Sequence, residues 1–388
     1  MQTERAVEQT GMKLELSDAQ KQARLRFREF VQQRVAPYAG GWDREERVPL
    51  DVIDQLRSHG YLGAPLPVDS GGGGMDAITY GLLTEEIGRG CSSLRSLLTV
   101  HDMVAFAVRR WGNAELKAGL AARLGSGEAL CALALSEADA GSDAASVRTE
   151  AVREGDEYVI TGRKKWITFG QIADFFLVLA RLEDKLTAFL VPSTTPGFSR
   201  TPMHGIVGTR ASLMAELEFN GCRLASRHLV GRPGFGLSHV FSTALDLGRY
   251  SVAWGAVGIA QACLDACLEY TANRRQFGVP LRDHQLIQRK LTDMIVNTRA
   301  ARLLCYRAGY LREIGDAEAM AETLVAKYFA SQAAVSAAND AVHLHGGNGL
   351  TEDYPVARYL RDSKVVEIIE GSTEIQQITI ARNPPGEL

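Results

Sequence analysis

Cysteine is sparse and unpatterned in this sequence: Cys91, Cys131, Cys222, Cys263, Cys267 and Cys305 are scattered over 388 residues without a CxxC pair. That spacing fits neither a disulfide framework nor a zinc knuckle, and it leaves reduced, packed thiols as the expectation. Cys263 and Cys267 share a predicted helix face, but no His or Cys at ligand spacing joins them. An excess of charge of one sign is missing too. With 43 Lys and Arg against 46 Asp and Glu the net charge is -3, so no basic field is available to hold a nucleic-acid backbone. Long apolar runs are absent: Ala173 to Leu182 (ADFFLVLARL) is about half of the ~20 residues a bilayer span needs. The first residues carry Glu4 and Glu8 and no apolar core, unlike a secretory leader or an acid-poor transit peptide. A cytoplasmic chain with a loose extension over residues 1–12 is the expectation. Motifs are lacking as well. No GxGxxG joins a strand to a helix, which argues against a nicotinamide-binding Rossmann domain, and no HExxH, GxSxG or EF-hand loop is present. His343 and His345 stand two apart and cannot share a helix face, and His284 is alone, so no metal site is expected.

What is present divides the chain in three. At ~150 residues per domain the length suggests two or three packed units. Residues 13–130 read as a helical domain, opened by a capping box in which Ser17 and Gln20 (SDAQ) precede a periodic run to Val35. The Gly71 to Gly74 run lacks the Lys-Ser/Thr of a P-loop and is read as a flexible connector. Residues 131–236 are β-rich: EYVITG, KKWIT, DFFLVLARL and LTAFLVP alternate with turn signals at Glu154-Gly155-Asp156 and Glu183-Asp184-Lys185. Residues 237–388 return to long helical periods, roughly Leu237 to Asn273, Asp283 to Ile314 and Ala317 to His345.

Four segments carry the chemistry. LALSEADAGSD (Leu133 to Asp143) is a strand running into a small-residue loop, able to bring backbone N–H groups and hydroxyls close to a flat ligand. KKWITFG (Lys164 to Gly170) adds a large aromatic and a hydroxyl donor at Trp166 and Thr168. NRRQFGVPLRDHQ (Asn273 to Gln285) supplies an arginine fork suited to phosphate. The last is the pair HLHGGNGLTEDYPVARYLRD and EIIEGSTEIQQ, with a close-approach backbone at Gly346-Gly347 and a carboxylate followed by glycine at Glu370-Gly371.

Together these segments resemble the acyl-coenzyme A dehydrogenase family from about Leu14 to Arg382. The resemblance implies an α+β fold: an N-terminal helical domain, a middle β-barrel domain and a C-terminal four-helix bundle. It implies FAD as cofactor, contacted by Leu133, Leu135, Ser136, Gly141, Ser142, Trp166, Thr168, Arg274, Phe277, Gln285, His343, Gly346, Gly347, Ser372, Thr373 and Glu374. Arg274 would bind the FAD pyrophosphate of a neighbouring subunit, so at least a dimer, and by family habit a dimer of dimers, is implied. Ser142, Asp246, Arg249 and Gly371 would meet the substrate. The IxEGxxxIQ stretch makes Glu370 the implied base, and the alternative base position used by a subset of the family is Gly248 here. Three departures stand out: Ala138 replaces a usual proline, Phe169 a usual asparagine and His343 a usual glutamine.

The implied reaction is α,β-dehydrogenation of an acyl thioester, on CoA or a carrier protein. Glu370 removes the α-proton, a β-hydride passes to flavin N5, and the N–H of Glu370 with a ribityl hydroxyl polarises the thioester carbonyl. An electron-transferring flavoprotein is the implied acceptor. The segment CSSLRSLLTVHDMVAFAVRRWG falls where the family lines its acyl pocket; His101 and Asp102 there either line a polar pocket or are solvated on a helix turn. The first option resembles dehydrogenases of polyketide pathways that oxidise polar, glyceryl-type units on a carrier protein. Rival classes are a flavin oxidase or monooxygenase on the same fold, a silent scaffold and a nicotinamide enzyme. The presence of Glu370 and Arg274 and the missing dinucleotide motif argue against them.

Overall fold

The computed structural model describes residues 15–386. Helices α1 (Asp18–Arg34), α2 (Ala39–Arg44), α3 (Leu50–Ser58), α4 (Ala77–Gly90), α5 (Ser92–Trp111) and α6 (Ala114–Gly125) form the first layer. The capping box is in place: Gln20 N donates to Ser17 Oγ at 3.2 Å and Ser17 N to Gln20 Oε1 at 3.0 Å. The glycine run is not a flexible connector. A Cβ on Gly72 would stand 2.3 Å from the Leu66 carbonyl and one on Gly71, at φ +76°, 2.7 Å from that of Ala122. Gly73 and Gly74 donate to Gly63 and Leu66, so the glycines pack a tight turn against α6.

The middle strands are β1 (Cys131–Ala134), β2 (Glu150–Glu154), β3 (Glu157–Ile167), β4 (Phe175–Leu182), β5 (Lys185–Pro192), β6 (Phe198–Pro202), β7 (Ala215–Ala225) and β8 (Leu229–Val230). They make one eight-stranded sheet in the order β6-β7-β3-β2-β4-β5-β8, with β1 added in parallel to β4. Central β4 is buried on both faces, which is why it reads as the continuous apolar run FFLVLARL.

Then come α7 (Ser242–Asn273), the hairpin β9 (Arg275–Gln276) and β10 (Val279–Pro280), α8 (Gln285–Glu313), α9 (Ala319–His345), α10 (Val356–Ile368) and α11 (Thr373–Arg382). A π-helical turn over Gly236–Phe241 lengthens α7 to a 38-residue helix with a window of mean hydropathy 1.4, long and apolar enough to cross a membrane. Scanning for contiguous apolar runs passes over it because its apolar positions are diluted by Gly, Ser and Ala. Within the fold 78% of that window is buried. Its small residues set the packing: a Cβ on Gly258 would be 2.2 Å from the Glu85 carbonyl, and one on Gly88 would be 3.0 Å from Gly255 Cα across the α4–α7 contact. All six cysteines are free and buried, and burial raises their thiols, Cys91 to about 11 and Cys267 to about 12.

Candidate active site

Glu370 lies in the link between α10 and α11 with φ +57°, and Gly371 follows at φ +96°. A left-handed glutamate is a strained conformation that must be held by its surroundings. Three side chains hold it. Arg249 Nε of α7 donates to the Glu370 carbonyl at 3.0 Å, and Gln376 Nε2 of α11 to the Glu370 and Gly371 carbonyls at 3.1 and 3.2 Å. Lys327 Nζ of α9 reaches the carbonyls of Gly371 at 2.7 Å and Glu367 at 3.3 Å. The N–H of Glu370 itself donates to nothing among the described residues.

The Glu370 carboxylate keeps Oε2 buried without a partner among the described residues. A Cβ on Gly248 would stand 2.8 Å from Oε2 and 2.6 Å from Met103 Sδ, so the alternative base position is closed by the Glu370 side chain. Burial pushes the Glu370 pKa up to about 7, against the opposing fields of Arg249, Lys327 and Arg95. Burial also brings the Lys327 ammonium down to about 8. A desolvated carboxylate poised near neutrality is a competent proton acceptor.

Met103 links this point to the strand segments, since it crowds Gly248 and sits in the hydrophobic cluster on which β1 packs. Leu133 pairs with Leu177 across β1 and β4, and Leu133 and Leu135 pack on the cluster that contains Met103. Lys165 N donates to the Ser136 carbonyl at 2.9 Å, and buried Lys164 Nζ to the Leu135 carbonyl at 3.0 Å and Glu137 Oε1 at 2.8 Å. Burial lifts the Glu137 carboxyl, but Lys164, Thr149 and the Arg148 N–H outweigh it and hold it below the usual range. The β3–β7 register shifts between Lys164 and Ile167, and at this bulge Trp166 takes φ +63° and leaves its ring 51% exposed. Thr168 is partly buried. Phe169 is 1% exposed in the hydrophobic core, so it adds no polar contact where asparagine is usual. Gly141 and Ser142 are exposed, with open space around the Gly141 backbone. Ser372 leaves the N-terminus of α11 without a side-chain cap, and the Thr373 hydroxyl is buried with no partner. Free helix N–H groups, an orphaned hydroxyl and an exposed aromatic ring together fit a flat, phosphate-bearing cofactor such as FAD.

The remaining predicted residues gather elsewhere. Arg274 and Gln285 are exposed, Phe277 is 95% exposed on the β9–β10 hairpin, and Gly346 and Gly347 have no neighbour within 4 Å of a Cβ position. His343 is exposed and, among the described residues, its ring engages Asn339 of its own helix. Tyr270 ties this group together, stacking on His345 at 4.1 Å and donating to its carbonyl at 3.2 Å. It lies at the far end of α9 from Lys327: 18 residues, from Lys327 to His345, span ~27 Å of helix.

Two expectations change. His101 and Asp102 neither line a pocket nor meet solvent: His101 Nε2 faces the Leu124 carbonyl at 2.9 Å, and Gly63 N donates to Asp102 Oδ1 at 2.7 Å. They tie α5 to the last turn of α6 and to the turn at Gly63, and burial pushes the Asp102 carboxyl up to about 8. Asp246 accepts from Arg312 Nη2 at 2.6 Å, so this carboxylate is committed to an ion pair. Sequence reasoning also missed Lys327 and Arg95, whose one available signal is a charge set among small and apolar residues (TLVAKYFA and SSLRSLLT).

Family models describing the N-terminal, middle and C-terminal domains of acyl-CoA dehydrogenases match residues 17–128, 132–222 and 236–384. The chain is 38% identical over 378 residues to the probable acyl-CoA dehydrogenase YngJ of Bacillus subtilis (strain 168), covering 96% of this chain and 99% of that protein. Its fold is similar to butyryl-CoA dehydrogenase from Megasphaera elsdenii, with TM-score 0.92, 32% identity, and 96% and 99% of the two chains covered. It is also similar to FkbI, for biosynthesis of the methoxymalonyl extender unit of the FK520 polyketide, with TM-score 0.85, 32% identity, and 93% and 98% covered.

Proposed function

The chain belongs to the acyl-CoA dehydrogenase family, flavin-dependent oxidoreductases that act on acyl thioesters, and from that premise we propose that it removes the α-proton of an acyl thioester with Glu370. The observation that carries this is the buried, unpartnered Glu370 Oε2 on a clamped left-handed backbone, with a pKa near 7. In the deprotonated form, Oε2 takes the proton from the carbon next to the thioester. The free N–H of Glu370 donates to the thioester carbonyl and stabilises the charge that develops there. Arg249, Gln376 and Lys327 are positioning residues: they fix the carbonyls of Glu370 and Gly371, so the base keeps its aim as it titrates. FAD, when bound, supplies the acceptor for the hydride that leaves the β-carbon.

Leu133, Leu135, Ser136, Gly141, Ser142, Trp166 and Thr168 would hold FAD together with Ser372, Thr373 and Glu374. Arg274, Phe277, Gln285, His343, Gly346 and Gly347 would hold the FAD of a second subunit. Their separation along α9 supports that division, as does the exposure of Arg274 and Phe277. The site thus works in an oligomer, with a dimer of dimers as the assembly and an electron-transferring flavoprotein as the oxidant of the reduced enzyme. Ser142, Gly371, Arg249 and the free oxygen of Asp246 would border the substrate arm.

The likeness to FkbI favours a second reading of the substrate, a polar acyl unit on a carrier protein; the equal identity to butyryl-CoA dehydrogenase favours a simple acyl-CoA. Anaerobic titration of the purified holoenzyme with acyl thioesters, on CoA and on carrier protein, tests the function. Bleaching of the flavin band by at least one class is expected. Flavin that stays oxidised with every thioester would reject the reaction.

A further inference from the structure

The C-terminal end of α5 carries charge that the fold leaves unmatched. Arg110, Lys185 and Arg232 are exposed and Lys117 is partly so, and none of the four enters an ion pair among the described residues. Their neighbour Arg227 does, with Glu115 at 3.6 Å. The Arg110 guanidinium lies instead over the Trp111 ring at 5.5 Å, and that of Arg232 over the Phe235 ring at 5.8 Å. Lys117 Nζ reaches the Arg110 carbonyl at 3.5 Å, and the Lys185 stem lies 3.8 Å from a Cβ position on Gly234. On a chain of net charge -3 this is a local positive field, assembled from α5, α6, β5 and the link between β8 and α7.

The rings beneath these cations are held in place. Phe235 and His239 stack at 4.1 Å, and Trp111 meets both edge-on, at 6.2 and 5.3 Å. Trp111 Nε1 donates to Thr243 Oγ1 at 2.9 Å, the Trp111 carbonyl accepts from Gly231 N at 2.9 Å, and Gly234 N donates to Thr187 Oγ1 at 3.2 Å. All three rings are half-buried. Fixed, half-buried aromatic rings overlaid by arginine have the composition of a protein contact surface. A single phosphate is satisfied by one bidentate fork, whereas four cations on four elements match a face of carboxylates.

The patch also lies at a defined reach from the base. On α7 and the π-helical turn before it, Arg249, Asp246, Ser242 and Ser238 recur at helical spacing and are partly or fully exposed. At the outer end of this stripe Ser238 Oγ and His239 Nδ1 share a hydrogen bond at 2.8 Å. From Ser238 to Arg249, whose Nε holds the Glu370 carbonyl, the helix rises ~16 Å. On α5, Trp111 stands ~12 Å along the helix from Met103, which shares the Gly248 position with Glu370 Oε2. A phosphopantetheine arm has about thirteen bonds between phosphorus and sulfur, ~17 Å when extended. With its sulfur beside Glu370, its phosphate end reaches the patch.

We propose that this patch docks a small acidic protein that delivers the acyl group on a phosphopantetheine arm, its carboxylates meeting Arg110, Lys185 and Arg232 and its apolar contact resting on the Trp111, Phe235 and His239 rings. This rests on the carrier-protein reading of the substrate and on Glu370 as the base. The arm then runs along the open stripe of α7, past Ser242 and Asp246, to the clamped glutamate.

The test uses the holoenzyme and butyryl or glyceryl, whichever bleaches the flavin, attached to pantetheine, to CoA and to an acidic phosphopantetheinylated acyl carrier protein. Wild-type kcat/KM should be higher for the carrier protein than for pantetheine and should fall with added salt, while the pantetheine thioester responds little to salt. Arg110→Glu combined with Arg232→Glu should lower kcat/KM on the carrier protein by about 10- to 100-fold, through KM, and on pantetheine by less than about twofold. Turnover of the pantetheine thioester reports that the variant has folded and holds flavin. The Arg110→Lys, Arg232→Lys pair should keep most of the carrier turnover. An equal loss on CoA would make the patch a site for nucleotide phosphates and overturn the docking. So would carrier turnover indifferent to the reversals, no wild-type gain over pantetheine, or an altered subunit number by light scattering, which would make the patch a contact between copies. Pantetheine and CoA thioesters that bleach the flavin beside an inert carrier thioester would overturn the docking and keep the dehydrogenase. Flavin that no thioester bleaches would reject the reaction itself and the docking with it.

Discussion

At one end of α9, Lys327 is fully buried and donates to the backbone of Gly371, beside a glutamate that Arg249 and Gln376 also clamp. At the other end, Gly346 and Gly347 stand open and Arg274 and Phe277 face outward from the adjoining hairpin. One end is finished by its own chain, with interior donors saturating the carbonyls around the base. The other leaves Arg274 and Phe277 exposed, with an edge contact from His284 to the Phe277 ring among the described residues. The first should respond to mutation through chemistry and proton affinity, the second through cofactor retention and assembly.

The largest effect should come from Glu370→Gln, which keeps the shape of the clamped end and removes its proton acceptor. FAD should stay bound while the rate of flavin bleaching falls by about 10²- to 10⁴-fold, the usual contribution of a general base. Retention of more than a tenth of the rate in stopped flow would dismiss Glu370. At the open end, Arg274→Ala should weaken FAD binding by about 10- to 100-fold in equilibrium dialysis. The melting temperature of the apoprotein should barely move, since surface substitutions stay within ~0.5 kcal/mol. A large drop in apoprotein stability would instead make Arg274 part of the fold and erase the contrast. The smallest effect should follow Lys327→Met. Burial raises the Glu370 pKa to about 7 and the Lys327 charge opposes that rise, so removing the charge lets it climb further. Since the ionised form is the active one, the acid limb of kcat/KM should move to higher pH by about one unit, a loss of several-fold at pH 7 that shrinks in more alkaline buffer. Lys327→Arg should move it back. A loss equal at every pH would make Lys327 a structural prop only.

How much of this was legible in the sequence depends on whether a residue's role is local. The capping box at Ser17, the turn at Gly155 and the strand-to-loop segment after Leu133 are written in neighbouring residues, and they form where the pattern places them. Glu370 was singled out by the resemblance of the stretch around it. The clamp was not, because Arg249, Lys327 and Gln376 come from three helices and meet only through packing. His101 and Asp102 misled because polarity on an apolar helix was taken to mean a pocket or solvent, whereas backbone groups of α6 and of the turn at Gly63 use them. Gly71 to Gly74 misled in the opposite direction: close approach to Leu66 and Ala122, which only the folded chain reveals, demands glycine as firmly as flexibility does.

The apolar helix that ends at Asn273 has a consequence during synthesis. Its partner α4 is made before it, but α9 begins only at Ala319, 46 residues past Asn273. At roughly 5–20 residues per second, a ribosome leaves that face uncovered for about 2 to 9 seconds before the first turn of α9 even exists. In that interval a segment apolar enough for a membrane is shielded on one side only, so slow translation or a truncated message should put this chain in the hands of chaperones well before it has a site to fill.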